Sequence, residues 1–478
     1  RSLISGVLAV IISPFAAGFE IDTHARMSVE AFQVSSLNSD ARTLRDLGLL
    51  KSRRLARDGS AFINLNLGNR YFDLGAVPPQ ARTGKPYDEI NLVASSRIGT
   101  SVPRWLATKF EDVVVPYFPG DWMARGAVRE DDAASFLSTV ETVFGDRNAL
   151  DMLDASPKLN RFCNHFYDPV NNNKLDLGNS PLTVVACGQS QVLATGVQWA
   201  TGAENADGSG AVTSARVNTF SIADAREAMW RALTGTDNTG AVVAALRSDR
   251  DAYWATTFRA LGDVVHLLQD MGQPQHTRNE AHPSFIEAGQ LESRTNARAL
   301  GIPDSKSGPN GAVVTESPPP LVYGPSPYVG GAPSFARYRD FFSTQSGVAS
   351  YSGKGLANYS NRGFFTNEAN FGNTRYAQPE SVAANYQPTV DGNGADGTYA
   401  TYLSAAVPDN LLGAASAPIL MTRESLLKDV IDVNGLPAVL ADRRYVIDRK
   451  VIDAQADLLI PRAVAYSTGL INFFFRGS

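Results

Sequence analysis

The chain has 478 residues, a net charge of −5, 44% hydrophobic residues and 19% charged ones. That composition excludes a disordered chain and leaves room for one large domain or two ordinary ones. The mild acidity excludes a duplex-binding surface built on bulk positive charge, while leaving a local basic groove open.

Residues Leu3 to Ala17 form an apolar run behind Arg1, too short to span a bilayer as a helix, with Pro14 near its end and small residues at Ala16, Ala17 and Gly18. This pattern predicts an export signal over residues 1–18, cleaved to leave a secreted or periplasmic protein. No later segment has the unbroken apolar length of a membrane helix, so the mature protein is expected to be soluble or peripheral. Residues 19–300 are expected to form a helical core: from Ile21 to about Asp151 the pattern is helical with loops between, while Pro169 to Thr219 reads as ordered loops. Asp22 and Thr23 are N-cap types ahead of Met27, Val29, Ala31 and Phe32. A second helical zone runs from Ser221 through Met271, with Trp254, Phe258, Leu261, Val265 and Leu268 spaced as a core-facing stripe.

From Gly301 to Ala400 the character changes: 14 Gly and 10 Pro stand beside 14 of the chain's 44 aromatics. Residues 301–410 therefore read as an insertion of ordered loops, with room for short strands. Helical pattern is expected to resume near Leu411, so that 411–478 supplies closing helices ending in an apolar segment through Phe475. The expected fold class is mainly α, a multi-helix domain with one long loop-rich insertion.

Two cysteines, Cys163 and Cys187, exclude a disulfide-rich scaffold and a four-cysteine metal site. Export makes a disulfide between them chemically allowed, and two buried thiols are the other reading. Histidine is the scarce residue, five in all, yet three fall between His266 and His282. His266 and Asp270 are one helical turn apart, so both side chains project from one face. Gly262, a turn earlier, leaves room beside them. Pro274 stops the helix, His276 follows on the turn, and His282 precedes Pro283 and Glu287. Imidazoles and carboxylates without thiolates suit zinc. Alone, a His-x-x-x-Asp pair is an ordinary surface charge pair; its convergence with a proline turn and two more histidines is what points to metal. His24 and His165 would each, standing alone, read as a hydrogen-bonded structural histidine. The acidic group Glu130-Asp131-Asp132 would read as a solvated loop.

Taken together, Thr23-His24, Gly126-Ala127 leading to Asp131, Asn164-His165-Phe166-Tyr167-Asp168-Pro169, the His266–Asp270–Pro274–His276 string, and His282 with a following Glu form an ordered set. That set, spread from about Phe19 to Glu287, resembles the bacterial zinc-dependent phospholipases C, whose superfamily includes the single-strand-specific zinc nucleases. The resemblance implies three zinc ions in an all-helical domain. One ion would take Asp131, His165, His266 and Asp270. A second would take His276, His282 and Glu287, with Glu280 or Glu292 as alternatives, because the family's usual position holds Ile286 here. The third would take His24, a bridging Asp270, and the amine and carbonyl of Phe19 freed by cleavage. Neighbouring Glu130 and Asp132 leave the register of the first carboxylate open by one residue. Asp131 is expected to act as general base or orienting group. The implied activity is phosphodiester hydrolysis, with phospholipid at a membrane surface as substrate and single-stranded nucleic acid as the alternative. A non-catalytic exported protein of the same fold is a third reading, and no obligate protein partner is implied.

Overall fold

The computed structural model describes residues 21–49, 119–130, 161–175, 194–202, 220–280, 282, 290–301, 303–307, 313–324, 331–371, 386–391, 400–425 and 444–476. The predicted export signal, and the site residues Phe19, Asp131 and Glu287, lie outside them, as does Cys187.

The described helices are α1 (Ile21–Val34), α2 (Ser36–Ser39), α3 (Ala41–Asp46), α4 (Pro119–Arg129), α5 (Gly196–Thr201), α6 (Ile222–Thr234), α7 (Arg247–Asp270), α8 (Gln290–Leu300), α9 (Tyr338–Phe342), α10 (Leu356–Gly363) and α11 (Arg449–Arg476). Short 3-10 turns cover Arg161–Asn164, His276–Arg278 and Gly347–Ser352. α7 is the axis of the molecule. It packs on α4, α6, α1, α5 and α11, and every residue from Tyr253 to Glu280 is buried. The expected stripe of Trp254, Phe258, Leu261, Val265 and Leu268 is therefore core, but so is the opposite face. There Arg259, Asp263, His266 and Asp270 recur at helical spacing, also buried. A polar stripe can be enclosed in this way only if its groups find partners. Arg259 reaches Asp263 at 3.2 Å and lies over the Phe220 ring at 4.0 Å.

Two glycines let α4 and α7 approach more closely than side chains permit. A Cβ on Gly262 would stand 2.0 Å from the Met123 carbonyl oxygen, and one on Gly126 would stand 2.0 Å from that of Arg259. The space that Gly262 provides is thus filled by the α4 backbone.

The fold class differs from expectation. The molecule is about 53% helical among its described residues and also contains antiparallel sheet. Strands β1 (Asp304–Ser307) and β2 (Val313–Glu316) form one hairpin, and β5 (Pro408–Asp409) pairs with β6 (Ala414–Ala415). Strands β3 (Gln387–Asp391), β4 (Ala400–Ala405), β7 (Ile419–Glu424) and β8 (Tyr445–Val446) form a four-stranded antiparallel sheet in the order β3-β4-β7-β8. A mainly α fold is therefore incorrect. Near Leu411 the described residues form strands β5 to β7 instead of helix, and among the described residues helix returns at Arg449. The reason is local: strands of two to six residues carry too few alternating positions to stand out among Gly and Pro.

α11 is long and apolar enough to cross a membrane by length and composition, yet 83% of its apolar window is buried inside the protein. It lies against α1, α7, α8 and β7. Its Arg462 is buried, stacks on the Tyr359 ring at 3.7 Å and pairs with Asp409. Cys163 is disulfide-bonded, which excludes the free-thiol reading for this residue.

Candidate metal centre

The end of α7 carries the site. His266 and Asp270 project from its polar stripe, and the chain then turns at Gln273 and Pro274 into the 3-10 turn that holds His276. The segment His165–Tyr167 runs alongside this turn. The Tyr167 backbone N–H donates to the His276 carbonyl at 3.1 Å, His276 Nδ1 lies 3.2 Å from the His165 carbonyl, and the Phe166 ring stacks on His276 at 4.5 Å. Thus His-Phe-Tyr-Asp-Pro docks by its backbone on the turn after α7, bringing His165 to Asp270. The following Asp168 accepts the N–H groups of Val170 and Asn171, closing its own loop. α1 delivers His24 from the other side, its ring stacked on His266 at 3.6 Å.

Four histidines fall in two adjoining groups of ligand atoms, one formed by His24, His266 and Asp270 and the other by His276, His282 and Glu292, and the fifth, His165, contacts Asp270. Asp270 is the hub. Its Oδ1 is 3.2 Å from His24 Nε2, and its Oδ2 is 2.9 Å from His165 Nδ1, 3.3 Å from His266 Nε2 and 3.9 Å from His276 Nδ1. In the second group His282 Nε2 is 2.8 Å from Glu292 Oε1. Glu292 sits on α8, which is clamped to α11 by Arg294 and Arg298 through Asp453 and Asp457.

Ring orientation carries the chemical argument. His24 Nδ1 contacts Gln269 Oε1 at 2.8 Å, His266 Nδ1 the Ala127 carbonyl at 2.5 Å, and His282 Nδ1 the Glu280 carbonyl at 2.5 Å. With His276 Nδ1 on the His165 carbonyl, four rings face an oxygen acceptor on one side. A neutral imidazole donating from Nδ1 has its lone pair on Nε2, which is the arrangement metal-ligating histidines adopt. His276 Nε2 is buried and has no hydrogen-bond partner among the described residues. An orphaned lone pair in a dry site is costly unless something electrophilic takes it. The donor set, imidazole and carboxylate, fits a divalent cation of the zinc type.

The electrostatics agree. Burial pushes His266 down to about 4, with the neighbouring His24 acting in the same direction. Burial also holds His276 well below the usual imidazole range. For Asp270 burial works against ionisation, but His276, His266 and His165 outweigh it and hold the carboxyl well below the usual range. His266 and His276 therefore favour the neutral ring, and Asp270 favours the charged carboxylate. His282 differs: burial opposes its charge, yet Glu292 holds it above the ordinary value.

Of the sequence-derived candidates, His24, His165, His266, Asp270, His276 and His282 come together. Glu292, one of the three carboxylates left open, lies on His282, whereas the Glu280 carboxylate is engaged by Thr366. In the first group Glu130 faces His165, with Oε1 at 3.6 Å from Nε2. Sequence reasoning missed Gln269, whose only signal is its place in the stripe beside Asp270. It also missed Trp199, whose indole N–H donates to Glu130 at 2.6 Å.

No family model matches the chain, and neither does any curated protein or solved structure. Fold and site together define a class: a mixed helical and β protein with a buried His–carboxylate centre that could hold metal ions.

Proposed function

We propose that this protein is a zinc-dependent phosphodiester hydrolase, exported from the cell and acting as a phospholipase C. The reading is carried by one observation, the convergence of all five histidines on Asp270 and Glu292 with four rings oriented by oxygen acceptors. The ordered set of residues that resembles the zinc-dependent phospholipases C supports the choice of reaction. On this reading three ions are held. His165, His266 and Asp270 with Glu130 or Asp131 take the first, His276, His282 and Glu292 the second, and His24, Asp270 and the Phe19 amine the third.

Bound zinc would supply charge neutralisation of the phosphodiester and activation of water at neutral pH. The protein's own share is orientation. The Ala127 and His165 carbonyls and Gln269 hold the rings, and the α8–α11 clamp holds Glu292. An acidic side chain at 130–131 would orient the attacking water. A Ser–His or Cys–His nucleophile is not needed, since every histidine is committed to the centre.

The test is to count zinc in the purified full chain, then compare diacylglycerol release from phosphatidylcholine with cleavage of single-stranded DNA. Zinc with lipid turnover is the expected result. Zinc with DNA cleavage alone would make it a nuclease, zinc with no turnover would make it a non-catalytic relative, and no zinc would overturn the reading.

A further inference from the structure

We infer that Trp199 is a positioning residue of the centre: its indole N–H fixes the Glu130 carboxylate against His165, and so sets the ring that reaches Asp270. This rests on the cation-binding reading above. Four side chains stand in line. Trp199 Nε1 donates to Glu130 Oε1 at 2.6 Å, that oxygen is 3.6 Å from His165 Nε2, and His165 Nδ1 is 2.9 Å from Asp270 Oδ2. Trp199 is 1% exposed and the other three are fully buried.

An indole is a donor only, so the bond has one polarity and directs an acceptor oxygen toward Trp199. A buried carboxylate without a donor is costly, and this donation offsets part of that cost while limiting rotation of the group. The backbone ties Trp199 to the same segment as its target. α5 opens with a capping box between Thr195 and Gln198, the Ala194 N–H donates to Asn164 Oδ1, and the Gly196 N–H donates to the Phe166 carbonyl. A Cβ on Gly196 would stand 3.3 Å from the His165 carbonyl oxygen, so little slack separates α5 from the histidine. A tryptophan serving only as filler would need its ring volume here, with no N–H aimed at a site carboxylate. The geometry makes Trp199 the far end of a lever on His165.

Trp199→Phe in the full chain keeps an aromatic ring, gives up part of the indole's volume and removes the donor. Two readouts separate positioning from packing. With only five histidines in the chain, selective nitrogen-15 labelling resolves each ring. In the metal-free protein the His165 nitrogens should shift and the His282 nitrogens should not. Cobalt(II) titration should show the binding event at His165 weakened about 10- to 100-fold, with an altered visible spectrum, and the one at His276, His282 and Glu292 unchanged. Glu130→Gln should reproduce the cobalt result with the indole in place, which keeps the test open if the Phe variant does not fold. Wild-type cobalt affinity in either variant, or an unmoved His165 in Trp199→Phe, would overturn the inference alone. Failure of the wild-type protein to take up cobalt would overturn the cation reading with it.

Discussion

Replacing Gly262 by alanine tests whether the centre depends on the close approach of α4 and α7. The added Cβ would stand 2.0 Å from the Met123 carbonyl oxygen and 2.8 and 2.9 Å from its C and Cα, all backbone atoms that cannot swing aside. Ordinary contact begins near 3.4 Å, so α4 must retreat by about 1.4 Å or distort. Ala127 lies on the same helix, and its carbonyl holds His266 Nδ1 at 2.5 Å. A retreat of that size stretches this bond to nearly 4 Å and breaks it. The overpacking costs about 1–3 kcal/mol, and the stranded buried group about 1–3 kcal/mol more. A total loss of ~2–6 kcal/mol of stability is expected, checked by urea unfolding of the metal-free protein. The ring freed from Ala127 should also weaken one cation about 10- to 100-fold in a chelator competition, leaving the His276–His282–Glu292 group unaffected. A Gly262→Ala protein with wild-type stability and both affinities intact would refute the helix-approach argument.

The two ligand groups should respond differently to loss of their carboxylates. Asp270→Asn removes the hub shared by four histidines, so turnover and the affinity for the ions that Asp270 holds should both fall by at least two orders of magnitude, while the ion at His276, His282 and Glu292 stays. Glu292→Gln should remove only the ion at His276 and His282, and equal zinc content in both variants would contradict the assignment. In the metal-free protein the acid dependence has a definite sign. His266, normally near 6.5, is held near 4 in the fold by burial, and His276 is also depressed. Between those values the unfolded chain binds more protons, so stability should be greatest above about pH 6.5 and fall as the pH drops toward 4. His282, raised by Glu292, acts above that window, where its contribution is lost as the pH rises past 6.5, and a melting temperature flat between pH 4 and 6.5 would show that His266 and His276 are not held neutral. Far from the centre, Arg462→Met should cost about 3–5 kcal/mol by urea unfolding, because it strands the buried Asp409. Adding Asp409→Asn should recover part of the loss, and additive losses would refute a coupled pair.

The sequence by itself determined which residues form the centre far better than how the chain is built around them. His266, Asp270, His276 and His282 were legible because scarce histidines, helical spacing and a proline turn are chemical signals that survive without coordinates, whereas His24 and His165 entered only through the family resemblance. The last carboxylate was not legible: Glu287 was the expected ligand, with Glu280 and Glu292 as alternatives. The choice depends on α8 lying against α11 under the Arg294–Asp453 and Arg298–Asp457 pairs, contacts more than 150 residues apart in sequence. Gly262 illustrates the same division. As a letter it reads as space beside a ligand, whereas in the structure that space holds another helix, whose carbonyl aims the histidine. The sheet, too, was decided by tertiary structure. Its short strands are stabilised by pairing, and β7 also by packing on α11, and neither leaves a period in the sequence long enough to read.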